Sequence, residues 1–285
     1  MFYLFLANTL MRQVSPLPAG ASEPWLEEGR LDDWRLLRAI GGGGCGDVFL
    51  AENAEGVRRA LKVFSPTVED RRAFDLEYDG LGWAKRLRGH PNLVPIESVG
   101  RTAHCVYYTM PLADPLDGGD YEPHILSSRI KRDDLTEEEL LEIAASVLSA
   151  LDFLHRNGLV YRDVKPENIM RFDGVWCLGD PGLISTRRPR QFAGTPGFYP
   201  NRRNFRADTA DDIYALGKTL YLAATGMKIS PDRYPEVYKH YDYDRYSTLR
   251  RIYRTAVEGG YNSADEMRKD VVSAQKKLKR DASSE

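Results

Sequence analysis

The most informative stretch of this sequence is a polar run with several candidate chemical groups, Tyr161-Arg162-Asp163-Val164-Lys165-Pro166-Glu167-Asn168. It follows a segment with the marks of a helix. Thr136 and Glu139 form a capping-box signature at the start of that segment, and Asn157-Gly158 ends it. Between them, apolar residues recur at helical spacing: Leu140, Ala144, Val147, Leu148, Leu151 and Leu154. The polar run is therefore predicted to lie in a loop directly after a long helix.

Three residues of this loop, Asp163, Lys165 and Asn168, are of the types that phosphoryl transfer needs. That reaction requires an acceptor for a hydroxyl proton, a cation for the transferring group and oxygen ligands for Mg²⁺. Asp180, in Asp180-Pro181-Gly182, adds a second carboxylate twelve residues after Asn168. Each of these residues alone is most often part of a solvated surface loop, but their combination favours a phosphoryl-transfer site.

A glycine-rich stretch earlier in the chain has two interpretations. It reads Ile40-Gly41-Gly42-Gly43-Gly44-Cys45-Gly46-Asp47-Val48 and contains G-x-G-x-x-G, which is either an ordinary turn or a phosphate-binding loop. The following residues have strand character, whereas a dinucleotide-binding turn must open a helix. The Gly-Lys-Ser/Thr ending of a P-loop is absent. If the stretch binds a ligand, it does so as a hairpin whose backbone N–H groups approach phosphate oxygens.

Strand-like segments dominate the chain up to Met110, and helical segments dominate after it. The strand-like runs are short and separated by turns: 34–40, 47–52, 58–64, 93–100 and 104–110. One helix is predicted among them, with Phe74, Glu77, Tyr78 and Leu81 on one face. Later helices are predicted over 211–225, 246–257 and 263–278. This order predicts an α+β fold with a small β-rich N-terminal lobe and a larger, mainly helical C-terminal lobe.

The domain boundaries follow from this change from strand-like to helical segments. Residues 1–30 are predicted to be a flexible leader, because residues 12–30 are rich in Pro, Gly, Ser and Glu. The N-terminal lobe is assigned to 31–110, a hinge to 111–114 and the C-terminal lobe to 115–279. The polar tail 280–285 is expected to fray.

Composition narrows the class of protein. The 285 residues are 42% hydrophobic with a net charge of −2, which favours a globular protein and gives no indication of nucleic-acid binding. The apolar start, residues 1–11, is shorter than the roughly 20 residues that a membrane span needs. Three scattered cysteines, Cys45, Cys105 and Cys177, form neither a disulfide framework nor a zinc spacing. We therefore expect a cytoplasmic protein with reduced thiols and without a stable membrane span.

The order of these motifs resembles that of the eukaryotic-type Ser/Thr protein kinases, in particular their compact bacterial-style members. The glycine stretch is followed by Arg59-Ala60-Leu61-Lys62, Glu77 and His90-Pro91-Asn92-Leu93-Val94. The polar run 161–168 comes next and resembles the family's catalytic loop. Asp180-Pro181-Gly182 stands in place of Asp-Phe-Gly. Gly194-Thr195-Pro196-Gly197-Phe198 and Asp212-Ile213-Tyr214-Ala215-Leu216-Gly217 complete the pattern. The resemblance covers nearly the whole chain and implies a bilobal kinase fold, ATP and Mg²⁺ as cofactors, and Ser/Thr hydroxyls of proteins as acceptors.

The resemblance also implies roles for individual residues. Lys62 would hold the α- and β-phosphates and be oriented by Glu77. Asp163 would accept or orient the acceptor hydroxyl, Lys165 would steady the γ-phosphate, and Asn168 and Asp180 would ligate Mg²⁺. The remaining nucleotide contacts would come from glycines, adenine-packing residues, a gatekeeper and the hinge backbone: Gly41, Gly43, Gly46, Val48, Ala60, Met170, Met110, Pro111 and Ala113.

Several positions depart from the family pattern. Tyr161 stands where His is usual, Pro181 replaces a Phe that packs to set the active arrangement, and Asn201 replaces the Glu of Ala-Pro-Glu. Two hypotheses therefore stay open. The first is an active kinase that autophosphorylates at Ser185 or Thr186, with Arg162 pairing the phosphate. The second is a pseudokinase that binds nucleotide and acts as a scaffold or allosteric partner.

Overall fold

The computed structural model describes residues 29–43, 46–64, 71–87, 89–117, 119–186, 195, 197–200, 208–226 and 246–283. The chain divides into two compact units. The first takes Met1–Arg88, Pro95–Leu112 and Asp117–Pro123, and the second takes Gly89–Val94, Ala113–Leu116 and His124–Glu285. The predicted leader lies outside the described residues as far as position 28. No helix in the described part of the chain is long and apolar enough to cross a membrane.

The first unit is built on a six-stranded antiparallel sheet with the order β1-β2-β3-β4-β6-β5. Its strands are β1 (Arg30–Leu31), β2 (Trp34–Gly43), β3 (Gly46–Glu52), β4 (Arg58–Phe64), β5 (Ser98–Arg101) and β6 (Val106–Met110). Helix α1 (Arg71–Arg86) follows β4. Gly80 and Gly82 do not interrupt this helix, although glycine weakens a helix relative to alanine.

Two strand predictions were too long, and the backbone explains why. The run 93–100 forms a strand only at Ser98–Arg101, because Pro95 has no N–H to donate and Val94 N–H donates to the carbonyl of Leu178 instead. The run 104–110 begins at Val106. The hydroxyl of Thr102 accepts the N–H groups of His104 and Cys105, which folds these residues into a turn.

The leader was predicted to extend through residue 30, but Arg30 belongs to the sheet and pairs with Arg35. A two-residue strand is too short to show alternation, so the pattern of the sequence could not indicate it. The Tyr107 hydroxyl donates to the carboxylate of Asp32 in the β1–β2 turn and thereby anchors β1. The ring of Tyr107 lies against Gly100, where an added Cβ would come within 2.0 Å of it.

A short segment before the first helix of the second unit belongs to the first unit. Residues Asp117–Pro123 belong to the first unit, although Ala113–Leu116 before them belong to the second. The Arg38 guanidinium on β2 donates to the carbonyl of Tyr121 in this returning segment. The segment is therefore attached to the sheet by a hydrogen bond that spans 83 positions of sequence.

The second unit is mainly helical. Its helices are α2 (Leu126–Arg132), α3 (Glu137–Arg156), α4 (Thr209–Thr225), α5 (Ser247–Val257) and α6 (Ala264–Ala282). Short strands β7 (Leu159–Val160), β8 (Ile169–Phe172), β9 (Val175–Leu178) and β10 (Ser185–Thr186) form two antiparallel pairs, β7 with β10 and β8 with β9. The strand-rich first unit and helical second unit confirm the predicted α+β class.

Helix α3 is the centre of the second unit. The capping box at its start is confirmed, because the Thr136 hydroxyl accepts the N–H of Glu139 and the Glu139 carboxylate accepts the N–H of Thr136. All six residues predicted on its apolar face are fully buried. In its first turn, Glu137 Oε1 accepts the N–H groups of Thr248 and Leu249 at 3.1 and 2.8 Å. This remote carboxylate caps α5.

Helix α6 runs to Ala282 and is longer than the predicted 263–278. Residues 280–282 therefore belong to a helix and not to a frayed tail. The surface ion pairs that Asp265 makes with Lys269 and Arg268 lie in its first turn and a half. Consecutive polar residues near the end of this helix, Lys279-Arg280-Asp281, gave no apolar periodicity from which its length could be predicted.

Candidate functional site

One buried carboxylate binds the backbone of the predicted catalytic loop. Asp212, in the first turn of α4, is fully buried and accepts the backbone N–H groups of Tyr161 at 2.8 Å and Arg162 at 2.7 Å. Its Oδ2 also lies 2.8 Å from His155 Nε2 at the end of α3. Arg162 adopts a positive φ of 78°, which is unusual for a residue with a side chain. The loop is therefore held in a specific, strained shape by Asp212 of α4, which in turn contacts His155 of α3.

Asp163 and Lys165 meet a third side chain from further along the chain. Lys165 Nζ lies 2.7 Å from Asp163 Oδ2. The Thr195 hydroxyl donates to Asp163 Oδ1 at 2.7 Å and accepts from Lys165 Nζ at 2.9 Å. Asp163 is only 2% exposed. A buried carboxylate, an ammonium group and a hydroxyl thus form a closed triangle of charge-assisted hydrogen bonds.

Asn168 is oriented by Asp163. Its Nδ2 donates to the backbone carbonyl of Asp163 at 2.8 Å and to Asp163 Oδ2 at 2.9 Å. Because both N–H groups of the amide face Asp163, the amide oxygen of Asn168 points to the opposite side of the amide plane. That oxygen is the atom that a hard cation would use.

The β8–β9 hairpin relates Asn168 to Asp180. Asn168 comes directly before β8 and Asp180 follows β9 by two positions, and Gly179 N–H donates to the carbonyl of Asn168 at 2.8 Å. One carboxylate and one amide oxygen are a donor set that fits Mg²⁺, which takes few protein ligands and keeps several waters. Within the described ranges no group of three or more His, Cys, Asp and Glu side chains gathers as a metal site. The predicted Mg²⁺ site therefore depends on Asn168 and Asp180.

The backbone at Asp180 is strained and tied to the catalytic loop. Asp180 has φ 50° and ψ 67°, in the left-handed region, directly before Pro181. The Tyr161 hydroxyl donates to the carbonyl of Gly179 and lies 3.3 Å from the carbonyl of Asp180. The resemblance identified Tyr161 only as a departure from the usual His. Tyr161 also donates hydrogen bonds, which the sequence pattern did not predict.

In the first unit, Lys62 and Glu77 form a buried pair. Lys62 Nζ lies 3.7 Å from Glu77 Oε1, and the two side chains are only 5% and 4% exposed. The ammonium group also lies 6.0 Å from the ring centroid of Tyr108. Charged groups so well buried are rare unless they are paired. The structure thus brings together the lysine and glutamate that the sequence paired.

The predicted adenine-packing residues of the first unit share a face of the sheet with Lys62. Val48 is directly opposite Lys62, and Ala60 is directly opposite Met110. Opposed residues, and residues two apart on one strand, point to the same face. Val48, Ala60, Lys62 and Met110 therefore line one surface of the sheet.

The glycine stretch lies in two paired antiparallel strands, β2 and β3, and residues 44 and 45 between them lie outside the described residues. Whether it binds phosphate stays a prediction. Gly41 is paired with Val48, and Gly43 is paired with Gly46. Gly46 has φ 104°, and an added Cβ would lie 2.2 Å from the carbonyl oxygen of Val63. Only glycine fits there, so the backbone of β3 can lie close to β4.

The remaining predicted site residues are divided between the units. Pro111 belongs to the first unit, while Ala113 and Met170 belong to the second. Met170 packs over Gly179, where an added Cβ would come within 2.9 Å of its methyl group. In the second unit Asp163 bonds both Lys165 and Asn168, and the Gly179 N–H next to Asp180 bonds the carbonyl of Asn168. That these residues and the Lys62–Glu77 pair serve one nucleotide stays a prediction.

The structure describes Ser185 and Thr186, the two residues predicted to be autophosphorylated. Strand β10 pairs Ser185 with Val160, and Arg162 Nη1 donates to the Ser185 hydroxyl at 3.2 Å. Burial lowers the pKa of the Arg162 guanidinium, while the charges of Asp212 and Asp211 raise it. The arginines 187, 188 and 190 and Asn201 lie outside the described residues.

Two residues of the site were missed or misassigned. Thr195 was named only as part of a family motif, but it bonds Asp163 and Lys165. His155 had no signal at all, because its partner Asp212 lies 57 positions away. The Gly194-Thr195-Pro196 motif was the one signal that could have placed Thr195 in the site.

Comparisons with known proteins agree with this geometry. The protein kinase domain family matches residues 34–282. The probable serine/threonine-protein kinase PknB of Lactococcus lactis subsp. lactis is 28% identical over 207 residues, which are 69% of this chain and 32% of the relative. Serine/threonine-protein kinase PknE of Mycobacterium tuberculosis is 32% identical over 204 residues, which are 68% of this chain and 35% of the relative. Rhodopsin kinase GRK1 of Rattus norvegicus is 31% identical over 220 residues, which are 71% of this chain and 38% of the relative. The chain spans about a third of the length of these relatives.

Proposed function

Because this chain belongs to the eukaryotic-type Ser/Thr protein kinase family, we propose that it transfers the γ-phosphoryl group of ATP, with Mg²⁺, to Ser or Thr hydroxyls of proteins. The observation that carries this proposal is the triangle of Asp163, Lys165 and Thr195. A scaffold that performs no chemistry has no need for a buried carboxylate held between an ammonium group and a hydroxyl. The geometry thus favours an active enzyme over a pseudokinase.

Asp163 is suited to receive the acceptor hydroxyl. Its carboxylate is fixed by Asn168, Lys165 and Thr195, so it can orient the incoming O–H and take its proton as the acceptor oxygen bonds the γ-phosphorus and the bond from that phosphorus to the ADP oxygen breaks. Lys165, 2.7 Å from Asp163 Oδ2, places a positive charge where the transferring group gains negative charge. Positioning and charge supply most of the catalysis in this reaction.

Asn168 and Asp180 would hold the Mg²⁺. Bound there, Mg²⁺ neutralises charge on the phosphate oxygens. Asn168 contributes an amide oxygen whose direction is set by its two bonds to Asp163. Asp180 contributes a carboxylate on a backbone fixed by the β8–β9 hairpin.

Lys62, Glu77 and the glycine hairpin would bind the nucleotide. Lys62 would contact the α- and β-phosphates, and the Glu77 carboxylate orients its ammonium group. The hairpin around Gly41, Gly43 and Gly46 would cover the phosphates with backbone N–H groups. Val48, Ala60 and Met170 would pack on adenine, and Met110 would be the gatekeeper. Pro111 and Ala113 would offer backbone groups; Pro111 can only accept, since it has no N–H.

Autophosphorylation at Ser185 or Thr186 belongs to the same proposal. The contact from Arg162 to the Ser185 hydroxyl supports it, because a phosphate on that oxygen would meet a guanidinium group. Phosphopeptide mapping after incubation with ATP should find one of the two residues modified. Finding both residues unmodified would remove this part of the proposal.

The proposed location is the cytoplasm. Cys105 and Cys177 are buried free thiols, and burial raises the pKa of Cys177 to about 11. Thiols that are protonated and shielded in this way are slow to react. Such thiols are typical of proteins in a reducing compartment.

The test is a phosphate-transfer assay with Asp163→Asn. Wild-type protein with ATP, Mg²⁺ and generic protein acceptors should label Ser or Thr residues, and Asp163→Asn should lower the rate by about 10²–10⁴-fold, the range of general acid–base catalysis. Asp152→Asn, which breaks only a partly exposed pair with Arg156 on α3, is the matched control and should retain the rate. Background labelling by the wild type and by both variants would favour the pseudokinase.

A further inference from the structure

One carboxylate at the end of the predicted hinge binds a tight turn. Asp114 Oδ1 accepts the N–H of Asp173 at 2.8 Å, and its Oδ2 accepts the N–H of Gly174 at 2.9 Å. These two residues form the turn between β8 and β9 and have φ of 48° and 78°. Their N–H groups lie outside the ladder, whose last pair is Phe172 with Val175. The carboxylate therefore binds the tip of the β8–β9 hairpin through two charge-assisted hydrogen bonds.

The backbone of Asp114 is part of a closed ring of three hydrogen bonds. Its N–H donates to the carbonyl of Arg171 at 2.7 Å, Arg171 N–H donates to the carbonyl of His124 at 2.9 Å, and His124 N–H donates back to the carbonyl of Asp114 at 2.7 Å. Ile125, next to His124, forms an isolated antiparallel bridge with Met170. The end of the hinge, residues 124–125 and strand β8 are thus joined at one point.

The chain leaves the second unit between two members of this ring. Ala113–Leu116 belong to the second unit, Asp117–Pro123 belong to the first, and the second unit resumes at His124. Holding the two ends of such an excursion together costs conformational entropy. Asp114 stands at the start of the excursion, so its side-chain bonds to the turn oppose that cost by attaching the departing chain to the hairpin.

The ring lies beside two of the residues proposed to bind the base. Ala113 precedes Asp114 and is 7% exposed, and Met170 precedes Arg171 on β8. Under the proposed function, Ala113 offers its backbone to adenine and Met170 packs on it. A base can meet both residues only if their separation is correct, because a hydrogen bond tolerates only about 0.5 Å of variation in its length.

We infer that Asp114 is a positioning residue for adenine: its carboxylate attaches the β8–β9 hairpin to the end of the hinge, so that Ala113 and Met170 keep the separation that the base requires. This inference rests on the proposed function, because it concerns the nucleotide site proposed there. The side chain of Asp114 faces the turn, so it acts on the base through Ala113 and Met170 and not by direct contact.

The experiment removes the carboxylate with Asp114→Ala. The turn that Asp114 binds is exposed, so water can replace the lost acceptor and the variant should fold. Asn53→Ala is the matched control, because Asn53 Oδ1 accepts the N–H groups of Glu55 and Val57 at 3.1 and 2.9 Å between β3 and β4. Each variant deletes a side chain that binds two backbone N–H groups of an exposed turn. An effect of lost stability alone should therefore be the same in both.

The first readout is amide hydrogen exchange, measured residue by residue by NMR in the nucleotide-free protein. Exchange at His124 and Arg171, whose N–H groups belong to the ring, should become about fivefold to tenfold faster in Asp114→Ala. It should stay unchanged in Asn53→Ala. Unchanged exchange at both amides in Asp114→Ala would show that the carboxylate does not hold the ring, and would overturn the inference.

The second readout is ADP binding by calorimetry in the presence of Mg²⁺. Asp114→Ala should weaken ADP binding about fivefold to tenfold, and Asn53→Ala should bind ADP as the wild type does. Adenosine, which has the base and no phosphate, should lose affinity by the same factor as a competitor of ADP. Tripolyphosphate, which has no base, should compete equally well in Asp114→Ala and in the wild type.

These binding measurements separate the two proposals. A wild-type protein that binds no ADP would refute the proposed function itself. Wild-type ADP binding that Asp114→Ala leaves unchanged, or a loss of affinity that tripolyphosphate shares, would overturn only the inference about Asp114.

The third readout is the split between KM and kcat in phosphate transfer. Removing an interaction that is equally strong in the ground state and the transition state raises KM and leaves kcat unchanged. The KM for ATP should therefore rise about fivefold to tenfold in Asp114→Ala, while kcat stays within about twofold of the wild type. A fall in kcat at unchanged KM would place Asp114 in the chemical step and overturn its assignment to the base.

Discussion

Asp212→Asn tests whether one buried carboxylate sets the shape of the catalytic loop. Asp212 accepts three bonds at 2.7–2.8 Å, two from backbone N–H groups and one involving His155. Asparagine has the same shape but only one acceptor oxygen. In either orientation its NH₂ group must face at least one backbone N–H of Tyr161 or Arg162. The substitution therefore places the asparagine NH₂ group against a backbone N–H group, and neither donor has an acceptor in this fully buried site.

The magnitude follows from these contacts. One buried donor without an acceptor costs about 1–3 kcal/mol, and converting the other bonds from charged to neutral acceptors weakens each by about 1 kcal/mol. We expect the free energy of unfolding to fall by about 3 kcal/mol, which lowers the Tm of a protein of this size by roughly 6–12 °C. Folded proteins have about 5–15 kcal/mol of stability, so the variant should still fold. Its phosphate-transfer rate should fall by about 10²-fold, as expected for misplaced catalytic groups.

Urea denaturation and the phosphate-transfer assay check both expectations. Asp265→Asn serves as the matched control, because Asp265 makes only surface ion pairs in the first turn of α6. That control should unfold close to the wild-type urea midpoint and keep the wild-type rate. If Asp212→Asn is no less stable than Asp265→Asn, or folds normally and transfers phosphate at full rate, Asp212 does not hold the loop.

Two further variants probe other parts of the site. Thr195→Ala removes the hydroxyl that bonds Asp163 and Lys165 and should lower kcat by about 10–10²-fold, whereas Thr195→Ser should stay within about threefold of wild type; a steady-state assay that finds the two variants equal would contradict the triangle. Gly46→Ala places a Cβ 2.2 Å from the carbonyl of Val63 at a φ of 104°. We therefore expect a lower Tm and, by calorimetry, ADP binding at least tenfold weaker than in the wild type. The control Gly56→Ala, also at positive φ but with no neighbour within 4 Å, should leave ADP binding unchanged.

The sequence predicted those parts of the fold that local signals specify. The capping box and apolar stripe of α3 define a helix within the sequence itself, and Arg58–Phe64 reads as a strand because β-branched and apolar residues occur between turns. Helix α2 and the β8–β9 hairpin escaped prediction. Seven-residue and four-residue elements are too short to establish a period.

For the candidate site too, the sequence predicted only what residues close together along the chain can indicate. Asp163, Lys165 and Asn168 lie within six positions, so their spacing alone indicates phosphate chemistry. The contacts that fix their geometry come from residues far away in sequence. Thr195 is 32 positions from Asp163, and Asp212 is 50 positions from Arg162. Such pairs depend on how helices and loops pack, which no local pattern encodes.

The segment Asp117–Pro123, bonded to Arg38 through Tyr121, has a consequence for dissecting this protein into fragments. The sheet unit is assembled from separate stretches of chain, and stretches of the helical unit are interspersed between them. A truncation after Leu112 would keep every strand of the sheet and yet discard the returning segment, leaving the donor of Arg38 to water. Proteolytic nicking or domain transplantation at that point should accordingly yield a sheet that lacks this contact, and a fragment of the sheet unit should extend at least to Pro123.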